Sequence, residues 1–424
     1  MKILLISANT ERINMPTIPL GLGCIAAAVQ QAGHEILLLD LLGVTDTRSA
    51  IAKAVTDFHP HVIGISVRNI DDQKMADTKF LLDQVRAIVS QCKSVSDVPV
   101  VLGGAGYSVS PAAALEYLQA DMGIQGEGEA AFVALLERLQ ENANLAGTPS
   151  LYLPGKGLQG ERSFVADLDT FPLPDPSLWP GSYANEPQLW MPIQTRRGCA
   201  MDCSYCSTAT IEGKVLRKRS VETVIRSVAR HVEAGFKRFY FTDNTFNLPP
   251  SYARELCRHL TAAKLDISWR CIVYPVKLDE SLVIDMAESG CKEVSLGFES
   301  GNPEILRNFN KRFKPDDIRH TSDLMAKYGM KRMGFLLLGG PGETKETVEE
   351  SIAFADSLKL DMVKLNVGIR IYPNTALARI AADEGIIERD DPLLFPKFYV
   401  VADLKDFLYE TVNHWLSLRP NWTT

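Results

Sequence analysis

The sequence predicts an α/β protein made of two successive units, a doubly wound parallel sheet and then a partial (β/α)6 barrel. Three observations carry that expectation. Between residue 1 and about 145, short near-continuous apolar runs alternate five times with amphipathic runs, the pattern of parallel strands buried on both faces. The alternation stops over residues 146–190, where Pro172, Pro174, Pro176 and Pro180-Gly181 break any regular element, so a linker is expected there. It resumes at residue 191 and repeats six times to about 390, too few repeats for an eight-unit barrel.

In the first unit, strands are expected at 2–6, 35–39, 62–67, 99–102 and 122–124, each rich in Ile, Leu or Val. Helices are expected at 19–32, stopped by Gly33, and at 51–58, 77–89, 111–118 and 129–139. Ligands of such sheets bind beyond the carboxyl ends of the strands. Those ends carry Ser66-Val67-Arg68-Asn69, then Gly103-Gly104 with Tyr107 just after, then Gly126-Glu127-Gly128-Glu129. Glycine there lets the backbone approach a bulky planar ligand, although each run also reads as an ordinary turn. In the second unit, strands are expected at 191–195, 238–242, 267–273, 293–298, 333–338 and 363–369. Helices begin at Ser220 and Pro250 and cover 281–289. The tail, 391–424, holds an amphipathic run at 404–416 that forms either a lid or a cover for the open barrel edge.

The chain has 424 residues, 46% of them apolar, and a net charge of −7 from 45 basic and 52 acidic side chains. That balance argues against a nucleic-acid partner; Arg217-Lys218-Arg219 is a local basic run. No apolar run reaches the ~18 residues of a membrane span, and the amino terminus lacks the apolar stretch of a signal peptide. Cys24, Cys92, Cys257, Cys271 and Cys291 are scattered and read as free thiols in a reducing cytoplasm.

The other three cysteines stand in Arg196-Arg197-Gly198-Cys199-Ala200-Met201-Asp202-Cys203-Ser204-Tyr205-Cys206. On one short loop, three thiolates hold three irons of a [4Fe–4S] cube and leave the fourth iron open for chemistry, as catalytic metals require. Three buried free thiols or a zinc site are the competing readings. The full triplet after Arg-Arg-Gly, at the end of a strand, weighs against both.

This spacing, with an aromatic residue before the last cysteine, resembles the radical S-adenosylmethionine (SAM) superfamily. The glycine runs at 103–104 and 126–129 resemble the cobalamin-binding domain that precedes the barrel in one branch of it. The resemblance spans residues 1 to about 140 and about 191 to 375. It implies a Rossmann-like cobalamin-binding domain followed by a partial TIM barrel of the radical SAM type, with a [4Fe–4S] cluster, SAM and cobalamin. In this family SAM chelates the open iron and is cleaved to a 5′-deoxyadenosyl radical. The resemblance assigns SAM to Tyr205, to Asp243 and Asn244 after the second barrel strand, and to Arg270 on the third. Glu299 and Ser300 after the fourth strand, with Gly339 and Gly340 after the fifth, complete that set. Family members often have glycines and a glutamate where Asp243 and Asn244 stand. Cobalamin is assigned to Ser66, Arg68, Asn69, Gly103, Gly104, Tyr107, Gly126, Glu127, Gly128 and Glu129.

The Asp-x-His-x-x-Gly signature of many cobalamin enzymes is absent, and His34, His59 and His61 precede their strands, so no His ligand to cobalt is expected. Arg68 falls where the lower corrin face would lie. A guanidinium has no lone pair to offer a metal and would leave that face uncoordinated; a salt bridge to Asp71 or Asp72 is the competing reading. The activity implied is methylation of a carbon, or another poorly reactive centre, of a small natural-product or lipid intermediate. It would proceed through methylcobalamin and a 5′-deoxyadenosyl radical. A ring-forming or rearranging enzyme is the alternative, and a non-catalytic corrinoid sensor the second. The implied partners are a small-molecule substrate and an electron donor such as flavodoxin or ferredoxin.

Overall fold

The computed structural model describes every residue except Asn14 and Lys277. Strands β1 (Lys2–Ser7), β2 (Glu35–Asp40), β3 (Val62–Ser66), β4 (Val100–Gly103) and β5 (Met122–Ile124) form a parallel sheet ordered β2-β1-β3-β4-β5. Alternate residues of each strand serve opposite faces. Leu4, Ile6, Ile63 and Ile65 pack with Ile51, Val55, Val85 and Ile88 of two helices. Ile3, Leu5, Val62 and Val101 pack with Leu22, Val29, Phe132 and Leu135 on the other side. The register sets Ser66 beside Ser7 and Gly103 beside Ser66, so the residues expected to bind ligand end in one row at the carboxyl edge.

Two boundaries differ from expectation. The sheet does not stop near residue 145: β6 (Leu151–Leu153) and β7 (Gly157–Leu158) continue it antiparallel from β5. Gly155 and Gly157, at φ +67° and +66°, permit that tight reversal, and strands this short carry no readable period. The helix expected at 77–89 instead spans Leu82–Val95. Asp77 is left-handed at φ 56°, and Phe80 bridges back to Asp71, so residues 71–81 form a loop over the second unit. The rest of the linker contains three short 3-10 turns, at Leu168–Thr170, Pro176–Leu178 and Gly181–Asn185.

The second unit opens with β8 (Met191–Ile193). An antiparallel hairpin, β9 (Arg196–Arg197) with β10 (Arg217–Lys218), then brackets the cysteine loop. β11 (Arg238–Phe241), β12 (Ser268–Val273), β13 (Cys291–Glu299), β14 (Lys331–Leu338) and β15 (Met362–Val367) follow in parallel after β8, giving the six expected strands. Phe239, Phe241, Trp269, Cys271 and Val273 are buried among the outer helices. The alternate row, including Tyr240, Arg270 and Ile272, is half-buried and faces inward. A small antiparallel pair, β16 (Ile369–Arg370) with β17 (Phe398–Tyr399), follows. The tail adds β18 (Trp422–Thr423) parallel to β15, and Trp415 of its helix Lys405–Leu418 stacks on Trp422 at 5.4 Å. The tail therefore covers the open edge. A buried ion pair, Asp71 with Arg370 at 2.8 Å, joins the two units. Among the described residues, no helix is long and apolar enough to cross a membrane.

Candidate functional site

The cysteine loop is positioned from below. Asp243, at the end of β11, accepts from the backbone N–H groups of Thr195 (2.7 Å) and Arg196 (2.9 Å), from the Thr195 hydroxyl (2.6 Å) and from the Arg196 guanidinium. Its carboxylate is buried among these donors and pins the turn into the loop. Gly198 then turns the chain at φ +87°, where a Cβ would sit 2.1 Å from the Val215 carbonyl oxygen. Backbone bonds from Cys199 to Gly213, Ser204 to Phe309 and Leu377 to Ser204 hang the loop from three segments. Asn310 and Arg312 side chains donate to the carbonyls of Asp202 and Ala200.

Cys199, Cys203 and Cys206 are half-buried free thiols. Burial raises the Cys199 thiol and pushes that of Cys203 up to about 11, opposed at Cys203 by the Lys311 ammonium. Three thiols on one loop suit a cluster, in which each takes a different iron.

Beside the loop, Glu299 interrupts the β13–β14 register with φ +67°. Its Oε1 accepts from the Tyr205 hydroxyl at 3.0 Å and from Lys311 Nζ at 3.3 Å. Burial alone would lower the Lys311 pKa, but Tyr205 and Glu299 raise it well above its ordinary value. The Ser300 hydroxyl is fully buried, bonded to Ser351 at 2.8 Å and accepting from the Asn302 N–H. The N–H groups of Gly339 and Gly340 both donate to Oε2 of Glu343. Burial pushes that carboxyl up to about 7. Asn244 donates to Glu212 at 2.7 Å.

The carboxyl edge of the first sheet opens into a cavity of about 240 Å³. Ser66, Gly103, Gly104, Gly126, Glu127, Gly128 and Glu129 line it, with Leu5, Ile25, Val101 and Phe132 as apolar wall. Its opposite wall is Gln194, Arg197 and Glu212, the hairpin and helix that bracket the cysteines. Arg197 meets Glu129 at 2.5 Å, and Arg217 meets Glu127 at 2.6 Å, all four side chains being buried. Burial would raise the Glu129 carboxyl; the Arg197 guanidinium offsets this and holds it below the usual range. Glu212 accepts from Gln194, Asn244 and the Gly198 N–H, while burial pushes its carboxyl up. Cavity and cysteine loop thus share one wall. The cavity's size and its glycine-lined apolar surface suit a flat aromatic ligand, such as the nucleotide base of cobalamin.

Arg68 and Asn69 line a smaller cleft with Thr10 and Glu11. Asp71 is taken by Arg370, and Asp72 accepts backbone N–H groups of Lys74 and Lys79. Among the described residues Arg68 therefore has no ion pair, and its side chain lies near Tyr240. The Tyr107 ring is fully buried in the core, and its hydroxyl lies against Gly123, where a Cβ would be 2.1 Å away. Arg270 lies apart from the cysteine loop, against Trp190, Tyr240 and Met15. Sequence reasoning missed Gln194, Glu212 and Lys311. No local pattern marks them, because their roles arise only where loops meet. Glu343 was visible as the end of the run Gly339-Gly340-Pro341-Gly342-Glu343.

Known proteins match both units. A profile of the radical SAM superfamily matches residues 193–355, and one of the B12 binding domain matches residues 6–136. An uncharacterized methyltransferase of Pyrococcus horikoshii is 29% identical over 97% of this chain and 90% of its own length. The cytidylyl-2-hydroxyethylphosphonate methyltransferase of Streptomyces wedmorensis is 28% identical over 84% of this chain and 76% of its own. The structure of the radical SAM methyltransferase TsrM from Kitasatospora setae, with tryptophan and a SAM analogue bound, superposes with a TM-score of 0.88. It covers 99% of this chain and 90% of that one at 20% identity, a likeness of fold.

Proposed function

We propose, for a chain that belongs to the radical SAM superfamily and carries an amino-terminal B12-binding domain, that it methylates a poorly reactive carbon of a small molecule. Cobalamin-dependent radical SAM methyltransferases are its family; the carbon acceptor is the step beyond. The observation that carries the reading is the shared wall. Gln194, Arg197 and Glu212 close the corrinoid cavity and belong to the segment that presents the cluster cysteines. One rigid segment then fixes both reaction partners, which removes much of the entropic cost of bringing them together.

Cys199, Cys203 and Cys206 would hold the cluster. Tyr205, Asn244, Glu299, Gly339 and Gly340 would receive SAM. Glu299, already oriented by Lys311 and Tyr205, offers a carboxylate to hydroxyl or ammonium donors. Glu343 fixes the peptide planes of Gly339 and Gly340. Ser66, Asn69 and the glycines at 103, 104, 126 and 128 would admit cobalamin. Arg68, without a carboxylate partner among the described residues and without a lone pair to offer a metal, would supply no ligand to cobalt. Glu127 and Glu129 act through Arg217 and Arg197, holding the cavity wall. When bound, the cluster supplies the electron that cleaves SAM, and cobalamin supplies the methyl group. A flavodoxin or ferredoxin in the cytoplasm is the proposed reductant.

The test is anaerobic reconstitution with iron, sulfide and hydroxocobalamin, then turnover with methyl-labelled SAM. About four irons and one cobalt per chain, with label in the product, support the reading. Irons without retained cobalt overturn the corrinoid site, and an unlabelled cyclised or rearranged product overturns methyl transfer.

A further inference from the structure

Three buried arginines meet carboxylates: Arg196 meets Asp243, Arg197 meets Glu129, and Arg370 meets Asp71. The half-buried Arg270 does not. It lies on the inward row of β12, level with Tyr240 of β11. Its guanidinium is 4.5 Å from the Trp190 ring centroid and 4.9 Å from that of Tyr240. Its Nε is buried without a hydrogen-bond partner. Among the described residues, the one heteroatom in contact is the thioether sulfur of Met15, a weak acceptor. Glu293 is in register on the neighbouring strand, yet it forms no ion pair with Arg270 among the described residues and acts only as a more distant charge.

A guanidinium stays charged in any protein environment, and a buried charge without an acceptor is unfavourable until one arrives. Aromatic contacts hold the group in place and leave the donors at its edge for an oxyanion, which the guanidinium fork engages bidentately. A second guanidinium, that of Arg68, lies near the same Tyr240.

We propose that Arg270 is the anchor for an anionic group on the substrate, so that the acceptor is a small molecule bearing a carboxylate or a phosphate. This rests on the reading of the barrel interior as the substrate chamber of the methyltransferase. Trp190 and Tyr240 position the anchor.

The experiment uses chain loaded with cluster, cobalamin and SAM, and titrates inorganic phosphate and, separately, propionate. Binding is read as the rise in melting temperature, and SAM affinity is measured by equilibrium dialysis. Wild type is stabilised by at least one of the two anions, and which one identifies the oxyanion. Arg270→Gln weakens that binding about tenfold, while Arg270→Lys, which keeps the charge without the fork, regains part of it. SAM affinity stays within about twofold in both variants, and iron and cobalt content is unchanged. Equal anion binding by wild type and Arg270→Gln overturns the proposal. So does about a tenfold loss of SAM affinity, which would give Arg270 to the SAM carboxylate. If Arg270→Gln does not fold, Arg270→Lys carries the comparison. If wild type retains no cobalamin, the methyl-transfer reading fails, while the anion arm is still read on chain loaded with cluster and SAM.

Discussion

Replacing Glu343 with glutamine should remove a pH dependence that is built into the barrel. Glu343 Oε2 accepts from the Gly340 N–H at 2.8 Å and from the Gly339 N–H, while Oε1 is buried with no partner. The two donors favour the carboxylate, but burial outweighs them and raises the pKa from 4.5 to about 7. Between those two values the folded chain holds more protons than the unfolded chain, so stability falls as pH rises. The contribution is complete below about pH 4.5 and lost once pH has passed 7. At about 1.4 kcal/mol per pH unit, the rise amounts to about 3 kcal/mol. Glutamine keeps an oxygen for both N–H groups and cannot ionise. Urea denaturation of wild type and Glu343→Gln, followed by tryptophan fluorescence from pH 4.5 to 7.5, should show the variant gaining on wild type by about 3 kcal/mol across the window. A gap constant to within about 0.5 kcal/mol, or one that moves in favour of wild type, would refute the reasoning.

Arg197→Met should cost about 3–5 kcal/mol by leaving Glu129 charged and buried and should reduce retained cobalt; adding Glu129→Gln should restore part of the stability, read by denaturation and cobalt analysis. Gly104→Ala should destabilise the first unit by about 1–3 kcal/mol, because φ is +96° and the new Cβ would lie 2.6 Å from the Val67 carbonyl oxygen; cobalt should be lost while iron stays. Cys203→Ala should abolish iron incorporation and its charge-transfer absorption but leave cobalamin uptake intact, because the cavity wall depends on Arg197 and Glu129 rather than on the thiols.

The two-unit α/β plan was legible because strands buried on both faces need continuous apolar runs, and those survive as composition in the chain. The six barrel strands appear where the alternation placed them. The β6–β7 extension and the β18 edge were not legible, because strands of two or three residues have no period and owe their existence to the neighbour they pair with. The cysteine triplet was legible since one loop carries all of it.

The site assignments divide along the same physical line. Asp243, Ser300 and Tyr107 make contacts that no local pattern shows: with the Thr195–Arg196 turn, with Ser351, and in the core beside Gly123. Glu127 and Glu129 lie on the cavity wall, and their charges are taken by Arg217 and Arg197 across the interface between the units. Sequence by itself determined what is local: strand and helix periods, the glycine turns, three thiols on one loop and the family they resemble. Only the tertiary structure decided which buried charges are neutralised and which are not, leaving Arg68 and Arg270 without a carboxylate among the described residues. That outcome depends on desolvation and on partners hundreds of residues away, such as Arg370 for Asp71, and a local pattern contains neither.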